Sequence, residues 1–467
     1  MMGRLCNVVL LFIAGIVLAG CAAGQGKLNP RTATFERENF TPPAVAEEAL
    51  PGGVKVFMLE DHDIPLVRLY LSFRGGAVYD PPGKKGLSDV LSTLWRTGGT
   101  KESDPATFDE RVDALAAELS VGLGRDTGFA SLSVLSEELE GGLDLMRELL
   151  LEPRFDEGVF EWAKAKERAA VSRVKDNPSS LAFREFRRYL YKGHPRGVIT
   201  TEESVANVTR EDVVNLHRQL TTESGWVIGA VGDFEPAALF DALTSHFGAL
   251  PAKGGSFLPL DAPPDPEPVL VLVEKETEQS TLLWGALAPK VESSERTPME
   301  VADQILGGSG FQSRLMREIR SDRGLAYGVG SFYSPFKEFG VMGMSGETGF
   351  STTREVWELM AEEAGKLASF GVTEGEVELV KNTVANSYIF RYRDPANLVL
   401  ERMGSELSGL PKDLAERFMR ELDMVTVDDV SEAAKNFKVG EGIWIVVGKA
   451  ALEDEPWPGW RVERVKP

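Results

Sequence analysis

Three regimes of apolar spacing follow one another along this chain. From Val8 to Ala19 nearly every residue is apolar. Residues 22–44 are polar and contain prolines, the composition of a tether. From about Val54 onward short apolar runs alternate with longer stretches of helical spacing, which predicts a mixed strand-and-helix fold. Lys55-Val56-Phe57-Met58-Leu59 and Leu66-Val67-Arg68-Leu69-Tyr70-Leu71-Ser72-Phe73 predict two strands, joined as a hairpin around Glu60-Asp61-His62-Asp63. Helices are predicted from Ser88 to Trp95 and over 105–119, 137–151 and 156–174. A proline cluster from Pro259 to Pro266 predicts an inter-domain linker near the middle of the chain.

The second half repeats the first. Val208-Thr209-Arg210-Glu211-Asp212-Val213, Trp226 and Val231-Gly232 match Val425-Thr426-Val427-Asp428-Asp429-Val430, Trp444 and Val447-Gly448. Glu157-Gly158, Glu161 and Lys164 match Glu374-Gly375, Glu378 and Lys381, and these share with the Val208–Val213 run one offset of 217 positions, from which the Trp pair and the Val-Gly pair depart by one. A period this long marks a domain duplication, since solenoid repeats run roughly 20–50 residues. Each copy is expected to be an α+β unit, a mainly antiparallel sheet with helices on one side. The expected boundaries are 45–255 and 268–467, with a linker over 256–267.

The apolar run near the start is too short for a membrane span, which needs roughly 20 apolar residues, and suits a signal-peptide core over 1–21. Leu18-Ala19-Gly20-Cys21 matches a bacterial lipoprotein cleavage site, at which the Cys21 thiol becomes acylated. With no Asp after Cys21, the expected address is the outer membrane, facing the periplasm. The remaining cysteine, Cys6, lies inside the signal, so a mature chain forms no disulfide and relies on its core. A net charge of −21 argues against nucleic-acid partners, because neutralising phosphates needs a cationic surface. The same charge repels anionic head groups, so membrane attachment falls to the lipid alone.

The run Arg74-Gly75-Gly76-Ala77 through Asp80-Pro81-Pro82-Gly83-Lys84-Lys85-Gly86-Leu87-Ser88, followed by Gly99-Thr100, resembles the approach to the active-site helix of the pitrilysin/insulinase metallopeptidases. In that family the helix carries His-x-x-Glu-His, which holds zinc and deprotonates its bound water. The five matching positions here read Asp89-Val90-Leu91-Ser92-Thr93, so both histidines and the base are replaced. Asp89 can ligate and Glu167 lies near the place of the family's distal Glu ligand, but a catalytic zinc needs three protein ligands, Thr93 is a poor one, and Ser92 is no base at neutral pH. The four histidines, His62, His194, His217 and His246, include no pair three or four apart. His62 reads as a turn residue, and His194 as part of a structural loop of the family. No Gly-x-Ser-x-Gly elbow and no free thiol offers another nucleophile, and Leu306-Gly307-Gly308-Ser309-Gly310 lacks the Lys-Ser/Thr of a phosphate loop. That glycine run reads as a flexible strap.

The strap opens a second stretch of resemblance. Leu306-Gly307-Gly308, Ser313-Arg314-Leu315 and Arg317 through Tyr327 are similar to the C-terminal half of the same family, where an Arg and a Tyr seven residues on face the zinc across a chamber. Here they are Arg320 and Tyr327. A tyrosine hydroxyl can donate to a tetrahedral oxyanion and a guanidinium can supply fixed charge. The resemblance covers roughly 45–450 and implies the duplicated LuxS/MPP-like metallopeptidase fold. It further implies a subunit inactive alone, with no cofactor of its own, completed by a paralogous partner that bears His-x-x-Glu-His and zinc, and acting on peptides. The competing reading is a lipid-anchored binding or scaffold protein with no part in proteolysis.

Overall fold

The computed structural model describes residues 43–449 and 457–466. The predicted signal segment, Cys21 and nearly all of the predicted tether lie outside the described residues. In the first half, strands β1 (Ala46–Ala49), β2 (Lys55–Glu60) and β3 (Leu66–Arg74) lead to helices α1 (Leu87–Thr97) and α2 (Pro105–Ala114). Strands β4 (Glu118–Leu123) and β5 (Thr127–Leu135) precede α3 (Leu139–Leu151), α4 (Glu157–Arg173), α5 (Pro178–Leu190), α6 (Glu202–Ala206) and α7 (Arg210–Glu223). β6 (Trp226–Gly232) and α8 (Pro236–Phe247) close this half. Residues 249–268 hold no helix or strand, and the second half begins with β7 (Val269–Glu274) and β8 (Gln279–Ala288). There follow α9 (Arg296–Asp303), β9 (Ala326–Pro335), β10 (Gly340–Gly349), α10 (Thr353–Phe370), α11 (Glu374–Arg391) and α12 (Ala396–Ser408). Helices α13 (Leu414–Met424) and α14 (Val427–Ala434) and strands β11 (Ile443–Gly448) and β12 (Val462–Val465) end the fold. No helix among the described residues is long and apolar enough to cross a membrane.

The duplication is visible in the strand order. One six-stranded sheet runs β1-β2-β6-β3-β5-β4 and the other β12-β7-β11-β8-β10-β9, the same path with β12 in the place of β1. Among the described residues only β2–β6, β7–β11 and β7–β12 pair in parallel. Matching positions do matching work. Thr209 with Asp212 caps α7, and Thr426 with Asp429 caps α14 by the same reciprocal hydrogen bonds. Lys164 Nζ donates to the Val208 carbonyl at 2.8 Å, and Lys381 Nζ donates to that of Val425 at 3.2 Å.

Two sequence expectations change. β2 and β3 are not a hairpin, because β6 lies between them, parallel to β2 and antiparallel to β3. β6 is apolar apart from its glycines and buried at every residue, so it belongs in a sheet centre, and its distance along the chain hid that pairing. His62 therefore sits in a crossover loop rather than a turn, bridging Glu60 and Asp233 at 2.5 Å each. The helix expected over 105–119 stops at Ala114, since Ala116 takes a left-handed backbone and Glu118–Leu123 switches to the alternation of a strand.

Central strands buried on both faces need two covers. Each sheet receives one from its own half and one from the other. α5 lays Leu181, Phe186 and Leu190 on Val271, Ile445 and Val447 of the second sheet. α12, its counterpart, lies on β6, β3 and β2 of the first. Glycines make room at both contacts: a Cβ on Gly229 of β6 would stand 2.3 Å from Met403 Sδ, and one on Gly285 of β8 would stand 2.4 Å from the Phe186 ring. Arg68 adds a two-pronged ion pair to Asp394, at 2.8 and 2.7 Å, beside the second contact.

Gly229→Val overpacks this seam and should cost about 1–3 kcal/mol of stability. Met403→Ala alone leaves a cavity costing about 2–5 kcal/mol. Combined, the two should cost clearly less than their sum, because each relieves the other's misfit. Denaturant unfolding of the four proteins in the cycle measures this, and strict additivity would show that α12 does not bear on Gly229.

Candidate functional site

The first candidate region is built on α1. Asp80 fixes the start of that helix: its carboxylate accepts from Gly86 N at 2.9 Å, Ser88 N at 3.1 Å and Ser88 Oγ at 2.5 Å. Burial raises this carboxyl to about 6 even so. Leu87, Val90, Leu91, Leu94 and Trp95 turn inward. Residues 89, 92 and 93, three and four apart, share the opposite polar face. Ser92 is fully engaged there, donating to the Ser88 carbonyl at 2.7 Å and accepting from Leu123 N at 2.8 Å. Arg96 donates to the Leu119 carbonyl at 2.8 Å, so α1 occupies outward groups at both ends of the edge strand β4. Thr93 Oγ1 has no hydrogen-bond partner among the described residues.

Asp89 and Glu167, from α1 and α4, line one cavity of about 450 Å³. Burial raises the Asp89 carboxyl. Burial, and then the charge of Asp89, push Glu167 up to about 7. Lys85, Arg125 and Arg187 line the same cavity. These residues do not fit zinc. The two carboxyls stand short of three ligands, the Ser92 oxygen is already committed, and Arg184 and Arg196 join those cations in the space any dication would share. Among the described residues no group of three His, Cys, Asp or Glu side chains is placed to hold a metal ion.

The second region lies around the glycine strap. Far from loose, Gln304–Gly308 winds as a π-turn against β9, and Ser331 Oγ donates to the Asp303 carboxylate beneath it at 2.6 Å. A second π-turn, Met316–Asp322, carries Arg320. Such turns shift the side chains that follow and recur at functional sites. Between Ala326 and Gly328 the β9–β10 register slips, leaving Tyr327 as the extra residue of a bulge. The bulge turns Tyr327 out, 80% exposed. Arg320 lies between two rings, 5.1 Å from the Tyr327 centroid and 4.8 Å from that of Phe311, itself 67% exposed. No carboxylate among the described residues pairs with Arg320.

The structure thus brings Arg320 to Tyr327, and Asp89 to Glu167, while neither Arg320 nor Tyr327 lines the carboxylate cavity. Phe311 escaped the sequence reading, although it directly follows the strap, an unusual place for an exposed aromatic. Arg125 and Arg187 gave no signal: one sits in the β4–β5 turn and the other on α5, and only the fold unites them. The remaining histidines serve structure, with His217 Nε2 2.8 Å from the Leu150 carbonyl and His194 Nε2 3.1 Å from that of Asp261.

Comparison with known proteins agrees in both halves. Residues 55–202 match the family model Insulinase (Peptidase family M16), and residues 207–384 match Peptidase M16 inactive domain. An uncharacterized zinc protease of Mycobacterium leprae is 27% identical over 404 residues, 84% of this chain and 88% of that protein. A non-peptidase homolog of Helicobacter pylori is 24% identical over 389 residues, 82% of this chain and 88% of that protein. The crystal structure of a peptidase M16 inactive domain from Pseudomonas fluorescens superposes with a TM-score of 0.80 at 25% identity, covering 87% of this chain and 98% of that one.

The raised Glu167 carboxyl has a thermodynamic consequence. An unfolded glutamate ionises near 4.5 and this one near 7, so between those values the folded protein holds the extra proton and stability falls as pH rises. Glu167→Gln removes that loss. Discounted for the solvent that still reaches the group, the mutant should gain about 1–2 kcal/mol on the wild type between acidic and alkaline ends of the window. Denaturant titrations of both proteins at about pH 4 and about pH 8 decide it; parallel profiles would mean an ordinary, ionised Glu167.

Proposed function

Because this chain belongs to the insulinase (M16) peptidase family as a non-catalytic member without the zinc motif, we propose that it is the oxyanion-stabilising, substrate-holding subunit of a heteromeric zinc peptidase. The metal, with His-x-x-Glu-His, would reside in a paralogous partner chain. What this chain adds is Arg320 and Tyr327. The observation that carries the reading is their state: an uncompensated guanidinium gripped between two rings, and a tyrosine that a bulge turns out to solvent. Both conformations are unnecessary for packing. A strand register is interrupted to present Tyr327, and no carboxylate among the described residues pairs with Arg320, so both suit a negative charge that develops elsewhere. Presented to a partner's active site, the Tyr327 hydroxyl would donate to the tetrahedral oxyanion of peptide hydrolysis, and Arg320 would hold the charge and the substrate backbone. The sequence at Leu18-Ala19-Gly20-Cys21 supports a lipid anchor on Cys21, holding the complex in the bacterial envelope at the outer membrane, facing the periplasm.

Two experiments test this reading. With the zinc-bearing chain reconstituted, Tyr327→Phe should lower peptide turnover by about 10²–10³ while the complex still forms, since one donor is lost and the ring stays. Arg320→Ala should weaken both turnover and substrate binding. Full activity of both variants in an intact complex would leave a scaffold role instead. In cells, Cys21→Ser should abolish acylation and release the protein from the membrane fraction, and an unchanged mass and fractionation would remove the anchor.

A further inference from the structure

The cavity beside α1 does not fit a metal, and the charges that line it are not all paired with one another. Its cations differ in how they are satisfied. Arg196 binds Asp126 through both terminal nitrogens, at 2.7 and 2.6 Å. Arg184 holds Glu185 at 2.8 Å, and Lys85 donates to the Ala77 carbonyl at 2.7 Å. The guanidiniums of Arg125 and Arg187 line the same space and have no hydrogen bond or ion pair with any described residue. They are also neighbours: burial first, and then the charge of Arg125, hold Arg187 below its ordinary value. A half-buried guanidinium beside a second, exposed one is costly unless an anion joins them. A guanidinium pair is suited to an oxyanion, each presenting its donors in a planar fork.

The rest of the lining narrows the anion. Val78, Leu123, Val171, Val174 and Ile199 supply apolar wall, and Asp89 and Glu167 supply acceptors. A ligand matching all three kinds of surface has an oxyanion, a hydrogen-bond donor close to it and an apolar body. The last residue of a peptide has them all: the α-carboxylate, the backbone N–H and the side chain. Inorganic phosphate has no apolar body. The volume, about 450 Å³, falls within the range of roughly 300–1,000 Å³ typical of small-ligand sites. Strand β4 ends at Leu123 on the cavity wall and the turn that follows carries Arg125, so apolar wall and guanidinium come from one short segment.

We propose that this cavity binds the free C-terminal carboxylate of a short peptide ending in an apolar residue, with Arg125 and Arg187 gripping the carboxylate and Asp89 and Glu167 facing the peptide N–H. The site deepens the peptide-handling reading and rests on it for the choice of ligand. It places the recognition of a free chain end on this subunit, apart from Arg320 and Tyr327.

Calorimetric titration of the full chain, with no partner present, tests the site. The probes are acetyl-Ala-Ala-Leu with a free carboxylate, the same peptide as its C-terminal amide, and inorganic phosphate. The acid should bind and the amide should bind at least about tenfold more weakly, as expected when charge-assisted hydrogen bonds are lost. Arg187→Gln and Arg125→Gln should each weaken the acid about tenfold or more and leave the amide unchanged. Arg125 is an exposed turn residue, so its variant decides the matter should Arg187→Gln fail to fold. Equal binding of acid and amide, no binding of the acid, or phosphate displacing the peptide as readily as the acid binds would each overturn the proposal. Since no partner chain is involved, a negative result leaves the turnover test of Tyr327 and Arg320 untouched, and the reverse holds as well.

Discussion

The structure rests on one exchange: each half lends a helix to the other half's sheet. β6 and β11 are buried along their whole length, and such strands are stable only with apolar cover on both faces. The helices of one half supply one face. The second comes from α5 on the far sheet and from α12 on the near one. Gly229 and Gly285, at the points of closest approach, show that the sheets are shaped for visiting helices rather than merely capped by them.

The same exchange positions the candidate chemistry. Phe186 seats α5 on the second sheet, and the next residue, Arg187, reaches the carboxylate cavity of the first half. The cavity therefore depends on the seam between the halves as much as on α1. Loss of the metal motif has not loosened that helix. Asp80 still caps it, Trp95 Nε1 donates to the Leu149 carbonyl at 3.0 Å, and Ser92 and Arg96 tie it to β4. The position where the family's base would stand now stabilises a strand edge, which is why the helix needs no ion to stay in place.

Much of this was legible in the sequence because it is local or repeated. The runs around Thr209 and Thr426 and the lysines at 164 and 381 announce themselves by one constant offset. Arg320 and Tyr327 were found through the surrounding motif, whereas the π-turn and the bulge that present them leave no periodic trace. Failures came where the fold joins distant segments. Nothing near Leu59 tells that a strand from position 226 will slip in before Leu66. Nothing in Arg125 or Arg187 tells that they will meet. The helix drawn through Ala116 failed for a different reason: a single left-handed residue ends it, and alanine gives no warning of that backbone.

The helix exchange also governs how such a chain comes into being. When a ribosome has released the first sheet, α12 is still some 170 positions from being made, so one apolar face of that sheet waits uncovered until the last quarter of synthesis. Contacts of such long range are slow to form, because the closure entropy of the intervening loop falls due before burial rewards it. During the wait the nascent half is an aggregation hazard of the kind holding chaperones serve. A half made alone would leave one apolar face of its sheet bare. For this chain the unit of folding is the pair of halves.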